Sequence, residues 1–170
     1  MQILGRMLST IDKVSEWVGK MVSFMVLPLI VIIVYEVTSR YIFNRPTLWV
    51  GETSAFIFGA SWVLGGSYAL LRKAHVKMEI IYVRLSLRWR AILDLITAPL
   101  FIVFVGVLLW KGWELTLYAL SISEHSTTLW SPPICYIKMI IPIGALLMLL
   151  QGLAKLVRDF VTAVTGKEVA

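Results

Sequence analysis

The sequence predicts an all-α integral membrane protein with four transmembrane helices. Of its 170 residues, 59% are hydrophobic and only 15% are charged, and the mean hydropathy is +0.84. A typical soluble domain is about 45–50% apolar and about 25% charged. At roughly 20 apolar residues for each spanning helix, the chain has room for about four spans and for no soluble domain of useful size.

Charge and cysteine content exclude several function classes. The net charge is +6, but the lysines and arginines flank the apolar runs, which indicates membrane topology and not nucleic-acid binding. Cys135 is the single cysteine, so we expect neither an internal disulfide nor a zinc cluster. The sequence contains no nucleophile–base pair, glycine-rich phosphate loop or metal-ligand cluster. We therefore expect no enzyme, no catalytic or metal site and no cofactor.

The first apolar run is expected to remain in the mature protein, because it is long and no small-residue cleavage pattern follows it. Residues 1–20 place apolar side chains at helical spacing and charges on another face. Two interpretations stay open: an amphipathic helix on the membrane surface, or an extension of the first span. That span covers about 21–41 and ends before Pro46, which cannot continue a helix.

The second span covers about 49–71 and is rich in small residues, which allow close helix packing in lipid. The basic connection that follows carries one apolar and one basic stripe. These stripes predict an amphipathic segment over 74–90 on the cytoplasmic surface, although an extended conformation near either end stays open.

The third span covers about 91–110, interrupted by Asp94, and is expected to continue as a helix out of the hydrocarbon core. Lys111 and Glu114 are spaced to pair in that extension. The fourth span covers about 132–153. Ser131 is its expected N-cap, prolines occupy its first turn, and Pro142 is expected to kink it.

The distribution of basic residues predicts the orientation. Twelve lysines and arginines lie in the N-terminal segment, in the connection 72–90 and in the tail, whereas only Arg40 and Arg45 lie on the opposite side. Since cytoplasmic loops carry the excess of positive charge, both termini are expected in the cytoplasm.

Four charges lie at the junction of the first two spans, in one band of depth near the outer face: Glu36, Arg40, Arg45 and Glu52. Glu36 and Arg40 have the favourable i, i+4 order on a helix. The group is consistent with an ionic link between the first two spans or to a partner, and also with side chains that extend to the headgroups. A proton or ion relay is disfavoured, because relay groups usually lie near the midplane.

The stretch RYIFNRPTLWVGE (40–52), followed by ALLRKAHVKMEIIY (69–82), resembles the small membrane subunit of tripartite ATP-independent periplasmic (TRAP) transporters. The segment IIPIGALLMLLQG (140–152) is similar to the family's Ile-Pro-x-Gly segment. Where the family often has an acid soon after its His-Val pair, this chain has Glu79 slightly later. The matching positions are Arg40, Tyr41, Phe43, Asn44, Pro46, Trp49, Glu52, His75 and Val76.

The resemblance implies a non-catalytic subunit in the bacterial inner membrane, surrounded by lipid, that braces a large permease subunit. The large subunit would carry the sodium and substrate sites, and a periplasmic binding protein would deliver carboxylate-bearing organic acids. This chain would hold no substrate site and would bind no nucleic acid. Structural or partner-docking roles are expected for Glu36, Arg40, Tyr41, Asn44, Pro46, Trp49, Glu52 and His75.

Two alternatives remain at this stage. The chain is also compatible with a self-contained, proton-coupled transporter that acts as a homodimer with Glu36 as its site. The other alternative is an assembly subunit of an unrelated membrane complex.

Overall fold

The computed structural model describes residues 2–72 and 87–165, and within these ranges the fold is entirely helical. Four stretches are long and apolar enough to cross a membrane: Gly5–Tyr41, Val50–Leu71, Trp89–Ser121 and Cys135–Thr165. The predicted all-α fold with four membrane-spanning helices is therefore confirmed. The helices are α1 (Gln2–Tyr41), α2 (Val50–Leu71), α3 (Leu87–Ser121), α4 (Cys135–Lys138) and α5 (Ile140–Thr165).

Two of the sequence predictions lie outside the described residues. These are the role of His75 and all but the last turn of the amphipathic segment predicted over 74–90. Residues 87–90 are described, and they form the first turn of α3.

The long helices α1 and α5 extend well beyond the spans that hydropathy predicts. Helix α1 has 40 residues and continues without a break from the N-terminal segment into the first span. At about 1.5 Å per residue it is about twice as long as the hydrocarbon core is thick. Helix α5 likewise continues to Thr165, whereas the predicted span ends near residue 153.

The fourth span begins differently from the prediction. Ser131 has a positive φ of 46° and is not an N-cap; Ile134 occupies the N-cap of α4, three residues later. The expected irregularity at Pro142 takes the form of an interruption at Met139, between α4 and α5.

A side chain of α3 compensates for that interruption. Pro142 has no N–H, so the carbonyl of Lys138 lacks its usual donor four residues later. The hydroxyl of Thr116, which is 3% exposed, lies 3.1 Å from that carbonyl and 2.7 Å from the carbonyl of Gly112. Its single proton is shared between them, and the broken turn is thereby held against α3.

The helices pack in the order α1–α2–α5–α3. The interface between α3 and α5 is the largest, α2 packs against both α1 and α5, and the interface between α1 and α5 is small. The buried positions are mostly small side chains, as is typical where helices approach closely in lipid. They include Ala60, Ser67, Ala119, Ala145 and Ala154.

Glycines mark the closest approaches along this row. A β-carbon at any of five glycines would overlap the neighbouring helix, so these positions let the backbones approach. The pairs are Gly19 with Tyr68 for α1–α2, Gly66 with Met148 and Gly144 with Val63 for α2–α5, and Gly112 with Ile141 and Gly152 with Phe101 for α3–α5.

The start of α1 and the end of α5 lie at the same end of the bundle, because Asp12 pairs with Arg158. We call this the terminal end. The opposite end, which carries the turn 42–49 and the link 122–134, is the loop end.

Replacement of Gly144 by alanine is expected to destabilise the fold, because the new methyl group would lie 2.9 Å from the Val63 carbonyl oxygen as well as overlapping its side chain. Overpacking of this kind costs about 1–3 kcal/mol. Thermal unfolding of the purified protein in detergent measures the loss. Gly59→Ala is the matched control on α2, where nothing lies within 4 Å, and equal melting temperatures for the two variants would contradict this packing.

Candidate functional site

The carboxylate of Glu36 is the centre of the polar contacts at the loop end. Its Oε1 accepts hydrogen bonds from Arg40 Nε at 3.0 Å and Nη2 at 2.5 Å, so the predicted i, i+4 pair is present. Its Oε2 accepts from the backbone N–H of Thr47 at 3.1 Å and from the Thr47 hydroxyl. Glu36 thus connects the end of α1 to the turn that precedes α2, and its side chain is only 14% exposed.

The backbone of this turn explains three of the predicted residues. Asn44 has a φ of 55°, a left-handed conformation that asparagine tolerates better than most residues and that reverses the chain after α1. Pro46 follows directly and prevents the helix from resuming. Trp49 is the N-cap residue of α2, and its ring lies 6.1 Å from that of Tyr35 on α1.

The four charges of the junction do not form one cluster within the chain. Glu52 turns away from α1, and its Oε2 accepts a hydrogen bond of 2.7 Å from the hydroxyl of Thr128 in the link. Arg45 forms no ion pair with another described residue. It lines an open groove of about 560 Å³ with Tyr35 and Phe43.

A second loop-end ion pair holds the link against the start of the fourth span. Lys138 Nζ lies 2.5 Å from Glu124 Oε2, and both side chains are about three-quarters buried. The N–H of Ile134 also donates to the carbonyl of Glu124. Glu124 therefore connects the link to both ends of α4.

The terminal end holds a polar network that the sequence analysis did not predict. Ser15 Oγ donates to Gln151 Oε1, Gln151 Nε2 donates to Asp12 Oδ1, and both bonds are 3.0 Å long. Ser15 and Gln151 are each 1% exposed. Arg158 completes the network with a 2.5 Å bond from Nη2 to Asp12 Oδ2. These contacts are the main link between α1 and α5.

Lys155 connects α3 to α5 at the terminal end. Its Nζ lies 2.8 Å from Asp94 of α3 and 2.7 Å from Asp159 of its own helix. The sequence did contain a signal for these residues, since Asp94 and Gln151 are isolated polar residues inside apolar runs. Their partners were not identifiable, because they come from other helices.

The geometry favours mechanical roles for these groups. In the described part of the chain, ion pairs near both ends of the bundle join different segments: Arg72 with Glu16, Lys138 with Glu124, Lys155 with Asp94 and Arg158 with Asp12. The buried polar side chains Ser15, Ser67, Thr116, Gln151 and Thr162 each have a hydrogen-bond partner within the chain. Tyr41, by contrast, is 80% exposed at the loop end, where it is available to a partner or to lipid.

Comparison with known proteins identifies a family. Residues 29–162 match the family model described as tripartite ATP-independent periplasmic transporters, DctQ component. The matched region contains the whole loop end and, of the terminal-end network, Gln151 and Arg158 but not Asp12 and Ser15. A search of curated proteins finds no match.

The substitution Glu36→Gln is expected to loosen the turn between α1 and α2. Glutamine has one acceptor oxygen and one NH₂ donor, so it cannot accept from both Arg40 and Thr47 as the carboxylate does. Hydrogen exchange of the Thr47 amide should become several-fold faster. Glu52→Gln is the control, since its amide oxygen can still accept from Thr128. Unchanged protection of Thr47 in Glu36→Gln would contradict the assigned geometry.

Proposed function

The chain belongs to the DctQ component family of tripartite ATP-independent periplasmic transporters, and we propose that it is the small scaffold subunit of a sodium-coupled member. In this proposal it binds a large permease subunit in the bilayer. A periplasmic binding protein delivers carboxylate-bearing organic acids, and the large subunit moves them inward. The family match over most of the chain is the observation that carries the proposal.

The shape of the fold supports a bracing role. The row of helices leaves α1 and α3 at its two margins, and both expose many large apolar side chains, such as Phe24, Val31, Leu100 and Phe104. These surfaces are available to lipid and to a large membrane partner. The ionic contacts at both ends would keep the row rigid under the movements of that partner.

We place the protein in the bacterial inner membrane with both termini in the cytoplasm. The common position of the termini at one end of the bundle supports this topology, as does the excess of twelve basic residues over two. The loop end, with Glu36, Arg40 and Glu52, then faces the periplasm.

The loop-end residues would have two roles. Glu36, Arg40, Asn44, Pro46 and Trp49 would shape the connection between α1 and α2. The exposed Tyr41, together with Glu52, would contact a partner subunit, and His75 is assigned a docking role by resemblance alone.

The alternative of a proton-coupled carrier centred on Glu36 receives less support from the geometry. Both oxygens of this carboxylate are already engaged, by Arg40 and by Thr47, at the loop end of α1. A carrier usually binds its ion near the midplane.

Reconstitution in sealed vesicles tests the scaffold role. The vesicles contain this chain and the large subunit, and they receive the cognate binding protein with a carboxylate that the binding protein recognises. Uptake of the carboxylate should occur with a sodium gradient and disappear without it. Omission of this chain should abolish the uptake or greatly reduce it. Transport against a gradient by this chain alone would favour the carrier alternative, and full uptake without this chain would contradict the scaffold.

The substitution Glu52→Gln is expected to reduce the amount of large subunit that co-purifies with this chain, or to lower uptake, because the carboxylate charge is lost. The affinity of the isolated binding protein for substrate should not change. Thr128→Val is the matched control, since it removes the hydrogen bond that Glu52→Gln can keep, and it leaves the carboxylate in place. Equal defects in both variants would show that Glu52 acts by holding the link in place. Normal co-purification and uptake for Glu52→Gln would show that Glu52 has no role in docking.

A further inference from the structure

Each spanning helix contains one stretch without charged side chains, and a charge limits that stretch at either side. We call these stretches the uncharged windows. They are 21–35 on α1, 53–71 on α2, 95–110 on α3 and 139–154 on α4 and α5. The limiting residues are Lys20 and Glu36, Glu52 and Arg72, Asp94 and Lys111, and Lys138 and Lys155.

The interhelical contacts place all four windows on one scale of height. Gly19 lies beside Tyr68, Gly144 beside Val63, and Gly152 beside Phe101. With about 1.5 Å of rise per residue, each contact converts a position on one helix into a height on the next. Independent contacts agree with this scale, among them Thr116 with Lys138 and Ser15 with Gln151.

On this scale the windows are staggered in one direction. Measured from Val50 towards the terminal end, their centres lie at about 14 Å on α1, about 18 Å on α2, about 23 Å on α5 and about 29 Å on α3. This is also the order in which the helices pack. The centre therefore moves by roughly 5 Å for each step along the row.

A bilayer perpendicular to the helices cannot avoid the charges. If the hydrocarbon core is aligned with the α2 window, Lys111 of α3 lies near the middle of the core, about 16 Å from Val50 towards the terminal end. The Lys111–Glu114 pair is highly exposed, with side chains 65% and 60% accessible, so the described part of this chain does not shield it. A charge at the middle of the bilayer is strongly disfavoured. A core aligned with the α3 window would instead bury Arg72 of α2.

We propose that the subunit crosses the bilayer obliquely, with the helix row inclined by about 30° in its own plane. The angle follows from a stagger of about 15 Å across three interhelical distances of about 8–10 Å each. The surface that contacts the hydrocarbon core is then an oblique apolar belt, nearer the loop end on α1 and nearer the terminal end on α3. An inclination of this size is within the range of about 0–40° known for transmembrane helices.

Tryptophan positions follow the same slope. At the loop-end side Trp49 lies near the limit of the α1 and α2 windows, whereas Trp110 and Trp113 lie at the limit of the α3 window, about 15–20 Å further along the scale. At the terminal-end side Trp17 and Trp89 are displaced in the same direction. Indole rings favour the membrane–water interface, so they mark its position independently of the charges.

Two tryptophans depart from this pattern. Trp62 is 71% exposed in the middle of the α2 window, and its ring lies 5.9 Å from that of Phe58. Trp130 lies in the link at the loop end and marks neither limit, whereas the other five tryptophans lie at the two sloping limits.

The inclination makes two segments protrude from the hydrocarbon core. At the loop end, α3 emerges after about residue 111 and carries the link with it. At the terminal end, the first twenty residues of α1 emerge. This inference concerns the membrane placement of the chain, and it stands whether or not the proposed transport role is correct.

Depth measurement with spin labels tests the inclination. Val31 on α1 and Leu117 on α3 lie at the same height of the bundle, and both are exposed. Trp17 on α1 and Leu100 on α3 form a second exposed pair at one height, nearer the terminal end. Each is replaced by cysteine in a Cys135→Ala background, labelled, and studied in the full chain in phosphatidylcholine vesicles. Accessibility to oxygen reports hydrocarbon, and accessibility to a water-soluble nickel chelate reports water.

The labels at 31 and 100 should be accessible to oxygen and protected from the chelate, the label at 117 should show the reverse, and the label at 17 should be more accessible to the chelate than the label at 100. Equal depths within each pair would overturn the inclination. A second measurement does not depend on labelling: Val31→Lys should reduce the yield of membrane-inserted protein several-fold, and Leu117→Lys should not. Equal losses for the two lysine variants would also overturn it.

Discussion

The exclusion of unpaired charge from hydrocarbon is the constraint on which the rest of this structure depends. Each spanning helix keeps its charges outside one apolar stretch, and most charges just beyond these stretches find a partner. Glu36 binds Arg40 and Thr47, Lys138 binds Glu124, and Lys155 binds Asp94. Pairing lowers the free-energy cost of placing these charges near the hydrocarbon core. The same pairs also join the helices, turns and link at the two ends of the row.

Between those charged layers the helices associate through shape, because lipid provides no hydrophobic force between apolar surfaces. Helix α5 contacts α2 on one side and α3 on the other through alanine and glycine positions, such as Ala145, Gly144 and Gly152. The result is a row with broad exposed margins and not a bundle around a cavity. Such a row is well suited to bracing a larger membrane partner, which is the role proposed for this member of the DctQ component family.

Much of the fold was predictable from local properties of the sequence. Apolar runs of sufficient length specify spanning helices, and Pro46 ends the first helical region because proline cannot donate a backbone hydrogen bond. The Glu36–Arg40 pair was predictable for the same reason, since helix geometry alone brings residues i and i+4 together. The sequence by itself thus determined the four spans, the turn after the first and the local ion pairs.

The tertiary structure alone decided the partners of residues that are distant in the chain. Glu52 and Thr128, Asp12 and Arg158, and Thr116 and the carbonyl of Lys138 meet only because particular helices pack side by side. Periodicity indicates which face of a helix is apolar, but it does not indicate which helix will cover that face. The order α1–α2–α5–α3 arises from the fit of glycines against larger side chains, and the stagger of the apolar stretches emerges only from that order.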